Sequence, residues 1–83
     1  MKNYYSTVNE VVTTFSDISE NGFMETITVH FEKPTENGFS FADYELPTRA
    51  LKKCVGFSED DLFEPEDYLL CNESLIWDIA RGR

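Results

Sequence analysis

The chain has 83 residues, 41% of them hydrophobic, with 16 acidic against 7 basic residues and a formal charge of -9. That size fits one acidic domain spanning 1–83, and seven Phe, four Tyr and one Trp are too many for a disordered acidic tail. The charge disfavours direct contact with nucleic acid or an anionic membrane and favours a basic protein surface as partner.

The N-terminal segment reads in two ways. Val8, Val11, Val12, Phe15 and Ile18 fit a helical stripe, with Thr7 and Glu10 as a capping box and Asn21-Gly22 as the stop. Against a helix, Val11-Val12-Thr13-Thr14 is β-branched, and Asn-Gly is a natural hairpin turn into the next segment. The strand reading is preferred, with Val12, Thr14, Ser16 and Ile18 sharing a face with Ile27, Val29 and Phe31.

Glu25–Phe31 is the clearest strand: Ile27, Val29 and Phe31 alternate with Thr26, Thr28 and His30. Pro34 ends it or marks an edge. The tetrapeptide Glu-Asn-Gly-Phe, at residues 20–23 and again at 36–39, punctuates a meander. A third strand covers about Phe39–Leu46, with a bulge near Asp43 to reconcile Phe39 and Phe41 with Tyr44 and Leu46.

The C-terminal half reads as helical. Thr48 caps a short helix through Lys53, which turns Leu51, Cys54 and Val55 inward and stops at Gly56. Ser58-Glu59-Asp60-Asp61 opens another turn. Pro65 begins the last helix, which runs to about Arg81 and which Asn72 could divide. The predicted fold is α+β: a small antiparallel meander of three strands, or two plus an N-terminal helix, packed by two or three C-terminal helices. Its expected core is Val12, Ile18, Ile27, Val29, Phe31, Phe41, Leu51, Leu69, Ile76 and Ile79.

No stretch approaches the apolar length of a membrane span. The opening Met1-Lys2-Asn3-Tyr4-Tyr5 has no apolar run behind its one basic residue, unlike a secretory leader. Cys54 and Cys71 are too few for a disulfide scaffold; they read as buried reduced thiols of a cytoplasmic protein, with pairing as the alternative.

The most informative chemistry is a charge gap. Between Lys53 and Arg81 no Lys, Arg or His occurs, while Glu59, Asp60, Asp61, Glu64, Glu66, Asp67, Glu73 and Asp78 all fall there. Helix starts account for five of them, because the dipole favours an acid in the first turn by roughly 0.3–1 kcal/mol. They do not account for the missing cations, since solvated helices usually interleave both signs. The candidate partner-binding residues are therefore Glu59, Asp60, Asp61, Glu64, Glu66 and Asp67, with Phe57, Phe63 and Trp77 beside them. Trp77 suits either an interface hot spot or a core-edge anchor.

Other chemistry is thin. His30 reads as a surface residue of the polar strand face, with no catalytic partner evident. Zinc-ligand pairs, a calcium loop and a Gly-rich phosphate loop are not recognisable, so neither metal nor cofactor is expected. Arg49, Lys52 and Lys53 form a basic cluster on the exposed face of the short helix.

Asp43-Tyr44-Glu45-Leu46-Pro47 resembles a stretch of anti-restriction proteins from conjugative elements, which are acidic and mimic DNA; it covers five residues. Gly56–Leu62, followed by Asn72, Leu75, Ile76 and Ala80-Arg81, is similar to small proteins of Firmicute mobile elements. The resemblance implies a setting and carries no functional residue across. The expected function is a non-enzymatic binding module, in its sharpest form an inhibitor that mimics nucleic acid against a bacterial defence protein. A self-associating homodimer and, third, a small ligand-binding domain or enzyme are the alternatives.

Overall fold

Six strands occupy residues 2–55 of the computed structural model, which describes residues 2–82. They are β1 (Lys2–Val8), β2 (Val11–Ser16), β3 (Ser19–Asn21), β4 (Met24–Thr35), β5 (Gly38–Leu46) and β6 (Ala50–Val55). Every pairing is antiparallel, the sheet order is β1-β2-β4-β5-β6, and β3 pairs the start of β4. A 3-10 turn (Asp60–Leu62) leads into one helix, α1 (Phe63–Ala80). The sequence-based expectation of three strands and two or three helices is thus corrected to six strands and one unbroken helix.

The N-terminal segment is neither a helix nor one strand but a hairpin. It turns at Asn9-Glu10, whose φ values of 50° and 68° give the left-handed pair that matches strand twist. Thr13 pairs with Phe31 and Phe15 with Val29, so Thr13 and Phe15 are the buried residues of β2. That is one residue out of step with the expected register. A single-residue slip exchanges the two faces of a strand, and the large Phe15 ring takes the inside. Beyond β2 the chain breaks at Asp17-Ile18, where the Thr28 N–H donates to Ser16 Oγ at 2.9 Å.

Both Glu-Asn-Gly-Phe segments are hairpin turns, two residues apart in phase. Asn21 pairs with Met24 around Gly22-Phe23, whereas Thr35 pairs with Gly38 around Glu36-Asn37. Pro34 does not end β4. It lies past Glu32, the last β4 residue that pairs with β2, so its missing N–H interrupts no ladder on that side.

The β5 strand alternates without interruption: Ser40, Ala42, Tyr44 and Leu46 are buried, and Phe39 and Phe41 face the other way. The expected bulge exists, but on β6. Asp43 pairs with Lys53 and Tyr44 with Leu51, which leaves Lys52 as the extra residue. Residues 48–53 therefore form a turn and a strand rather than a short helix. Arg49, at φ 62°, closes that turn by donating its N–H to Glu45 O at 2.7 Å, and the free edge of β5 then pairs with β6.

The core lies between the sheet and α1. Phe15, Ile27, Val29, Phe31, Ala42, Tyr44 and Leu46 from the sheet meet Leu62, Leu69 and Ile76. Of the expected core, Ile27, Val29, Phe31, Leu69 and Ile76 are inside; Val12 and Ile18 are half-buried, Phe41 turns outward, and Leu51 and Ile79 are exposed. Polar tethers fix the helix over the sheet: Tyr44 Oη donates to Glu66 Oε2 at 2.7 Å, and Tyr5 Oη to Asn72 Oδ1 at 2.7 Å. Asn72 also donates to Tyr68 O at 2.8 Å, so it braces α1 rather than dividing it.

Candidate protein-binding face

Local chemistry starts the helix as its sequence suggests. The Asp61 N–H donates to Ser58 Oγ at 3.2 Å, and the Ser58 N–H donates to Asp61 Oδ2 at 3.0 Å. Hydrogen bonds from the Ser58 backbone and side chain hold the Asp61 carboxyl below the usual range, and Lys33 adds to this from across a cleft. Gly56 precedes this turn at φ +83°, where a Cβ would fall 2.4 Å from Ser40 Oγ; only glycine fits there.

The candidate residues do not converge on one spot. Phe57, Asp60, Asp61 and Glu64 line a cleft of about 450 Å³ together with Lys33 and Pro65. Glu59 is exposed just before the 3-10 turn, and Asp67 is exposed on the helix. Glu66 is engaged by Tyr44, and Glu73 pairs with Arg49 at 2.5 Å. Trp77 sits about 25 Å along the axis from Asp60, half-buried, with the Arg81 guanidinium 4.5 Å above its ring.

What the acids do form is a stripe. Glu64, Asp67, Cys71, Ser74 and Asp78 recur at spacings of three and four, so they lie along one line of the helix, and all five are exposed. The line runs about 21 Å from Glu64 to Asp78. Apolar residues flank it on both sides: Phe63 and Leu70 on one, Leu75 and Ile79 on the other. They are 76%, 55%, 55% and 51% exposed. An ordinary surface helix shows water a broad polar face, whereas this one shows a narrow acid stripe bordered on both sides by apolar residues. Leu70, Leu75 and Ile79 are functional candidates that periodicity cannot reveal, because apolar residues on more than one side leave the inward stripe undefined until the sheet selects Leu69 and Ile76.

Elsewhere the structure corrects smaller expectations. His30 is not a free surface residue: its side chain is 13% exposed, with Nδ1 against Asp43 Oδ1 and Nε2 3.1 Å from Glu32 Oε1. Phe41 stacks on its ring. The basic cluster is on β6 and its turn, and it is engaged: Arg49 with Glu73, Lys52 3.9 Å from Glu45, and Lys53 over the Phe41 ring. The cysteines are free, Cys54 half-buried and Cys71 exposed, so the expected pair of buried thiols holds for neither in full.

Among the described residues, no group of three or more His, Cys, Asp or Glu is arranged to hold a metal ion. No described helix is long and apolar enough to cross a membrane. Comparison of the chain with protein-family profiles, curated proteins and solved structures returns no match.

Proposed function

We propose that this domain is a protein-binding module whose outward face of α1 docks on a basic, partly apolar protein surface. The observation that carries the reading is the pairing of exposed Phe63, Leu70, Leu75 and Ile79 with the stripe Glu64, Asp67 and Asp78, on a helix without a single cation. Exposed apolar residues grouped in this way mark interaction surfaces. The acids select a basic partner and speed its approach. In the inhibitor form of this proposal, the partner's basic surface is its nucleic-acid groove, and the module blocks it. The interleaved apolar residues make the contact more than a copy of phosphates, so part of the affinity should survive salt.

Pairing of two copies is disfavoured on two grounds. An antiparallel helix pair would set acid against acid. Both sheet edges also carry a bulge, one between Tyr4 and Ser6 and one at Lys52, which are devices that blunt edge pairing.

The test is capture of partners by wild type and by two folded variants, Leu75→Ser/Ile79→Ser and Glu64→Gln/Asp67→Asn/Asp78→Asn. The expected result is a partner with a basic surface that both variants capture more weakly, with capture falling more steeply in salt for wild type than for the charge-neutral variant. Equal capture by wild type and both variants would defeat the proposal. Displacement of DNA or RNA from the captured protein would support the inhibitor form.

A further inference from the structure

At the far end of α1 lies an open cleft of about 600 Å³, walled by Trp77 and Asp78 of the helix and by Phe23, Met24 and Glu25 of the β3–β4 hairpin. Its chemistry suits a cation: an indole face, two carboxylates and an apolar rim. A cation already lines it, over the indole. Arg81 lies one helical turn beyond Trp77, which stacks its guanidinium on the indole, and its Nη2 reaches Glu25 Oε1 at 3.4 Å.

That seat is loose. The hydrogen bond is long, and both partners are more than a third exposed. An internal ion pair accounts for Arg81 and Glu25, but not for the second acid, Asp78, or for Phe23, which is fully exposed at the tip of its turn. The open volume is what remains with Arg81 in place, so the cleft has room for a second side chain.

We infer that this cleft is a recognition site for an arginine side chain of the partner, and that Arg81 covers its indole until the partner arrives. The planar guanidinium suits it better than an ammonium, because it can stack on Trp77 and bond the Glu25 carboxylate in the same pose. Phe23 and Met24 then close over its aliphatic stem. The site deepens the docking role proposed for α1 and rests on it for the basic character of the partner.

Trp77 is the single tryptophan, so its fluorescence reports the site directly. The probes are the peptide acetyl-Gly-Arg-Gly-amide and its citrulline counterpart, which has nearly the same shape and no charge. The arginine peptide should change Trp77 emission saturably, and the citrulline peptide should not. Arg81→Ala should bind the arginine peptide roughly two- to fivefold more tightly, the factor by which an exposed cation–π contact holds the internal arginine in place. Adding Glu25→Gln to that variant should weaken binding again. Circular dichroism and urea unfolding of each variant confirm an intact fold. Equal responses to arginine and citrulline, or an Arg81→Ala variant that binds no more tightly, would overturn the assignment. Intact peptide binding in the Leu75→Ser/Ile79→Ser variant, together with unchanged partner capture, would overturn the α1 face alone and leave the cleft standing.

Discussion

Leu75 and Ile76 are neighbours on α1, and truncating them should have very different consequences. Ile76 is fully buried in the core, whereas Leu75 is 55% exposed. Loss of a buried Ile side chain costs about 2–5 kcal/mol, and Ile→Val about 0.5–1.5 kcal/mol. Leu75 has less than half its surface to lose from a full burial value of roughly 1.5–3 kcal/mol, and alanine is the better helix former, so Leu75→Ala should cost under about 1 kcal/mol. In a domain this small, a loss of about 1 kcal/mol lowers Tm by roughly 4–8 °C. Ile76→Ala could therefore unfold the protein at working temperature, and Ile76→Val keeps the comparison measurable. The assay is urea unfolding monitored by Trp77 emission and far-ultraviolet circular dichroism, with the midpoint compared at constant slope. A cost above about 2 kcal/mol for Leu75→Ala would show that this side of the helix is packed, and the proposed docking face would fall with it.

Local geometry sets three further outcomes. Glu10→Gly should stabilise the domain by about 1 kcal/mol, because Glu10 holds φ 68° in a two-residue turn that glycine occupies without strain; no gain in urea midpoint would contradict the hairpin. Burial, and then the hydrogen bond to Glu66, push the Tyr44 phenol well above its usual range. The native state thus keeps a proton that the unfolded chain releases near pH 10, so this stability is full below that pH and is lost as pH rises. Phenolate absorbance should then show Tyr44 ionising only as the fold is lost, and smooth titration of all four tyrosines in the folded state would refute it. Cys71 should react with a thiol reagent well before Cys54, which is half-buried with Sγ 3.5 Å from Phe57 O; bound partner should protect Cys71, since it lies on the acid stripe.

Local chemistry was readable wherever it involved neighbours in sequence. The β-branched alternation of Ile27, Val29 and Phe31 placed β4, the Glu-Asn-Gly-Phe segments marked both turns, and Ser58 with Asp61 announced the helix start. The errors came where two periodicities fit the same residues. Residues 48–53 have a cap, an apolar spacing and a glycine stop, yet they form a turn and most of β6, because the open edge of β5 satisfies their backbone groups in a way that no local pattern records. The Asn9-Glu10 turn was hidden because glutamate seldom adopts a left-handed φ.

The charge gap, the acidity and the apolar content of the last helix are properties of composition, and the chain alone determined them. Which acids are available was decided by the fold. Tyr44 and Arg49, both distant in sequence, reach Glu66 and Glu73, while Glu64, Asp67 and Asp78 are left in a line facing outward. The sheet buries one stripe of a helix that is apolar on more than one side and leaves Phe63, Leu70, Leu75 and Ile79 exposed. The physical reason is geometric: a sheet can cover only one side of a helix, and which side depends on contacts between residues far apart in the chain.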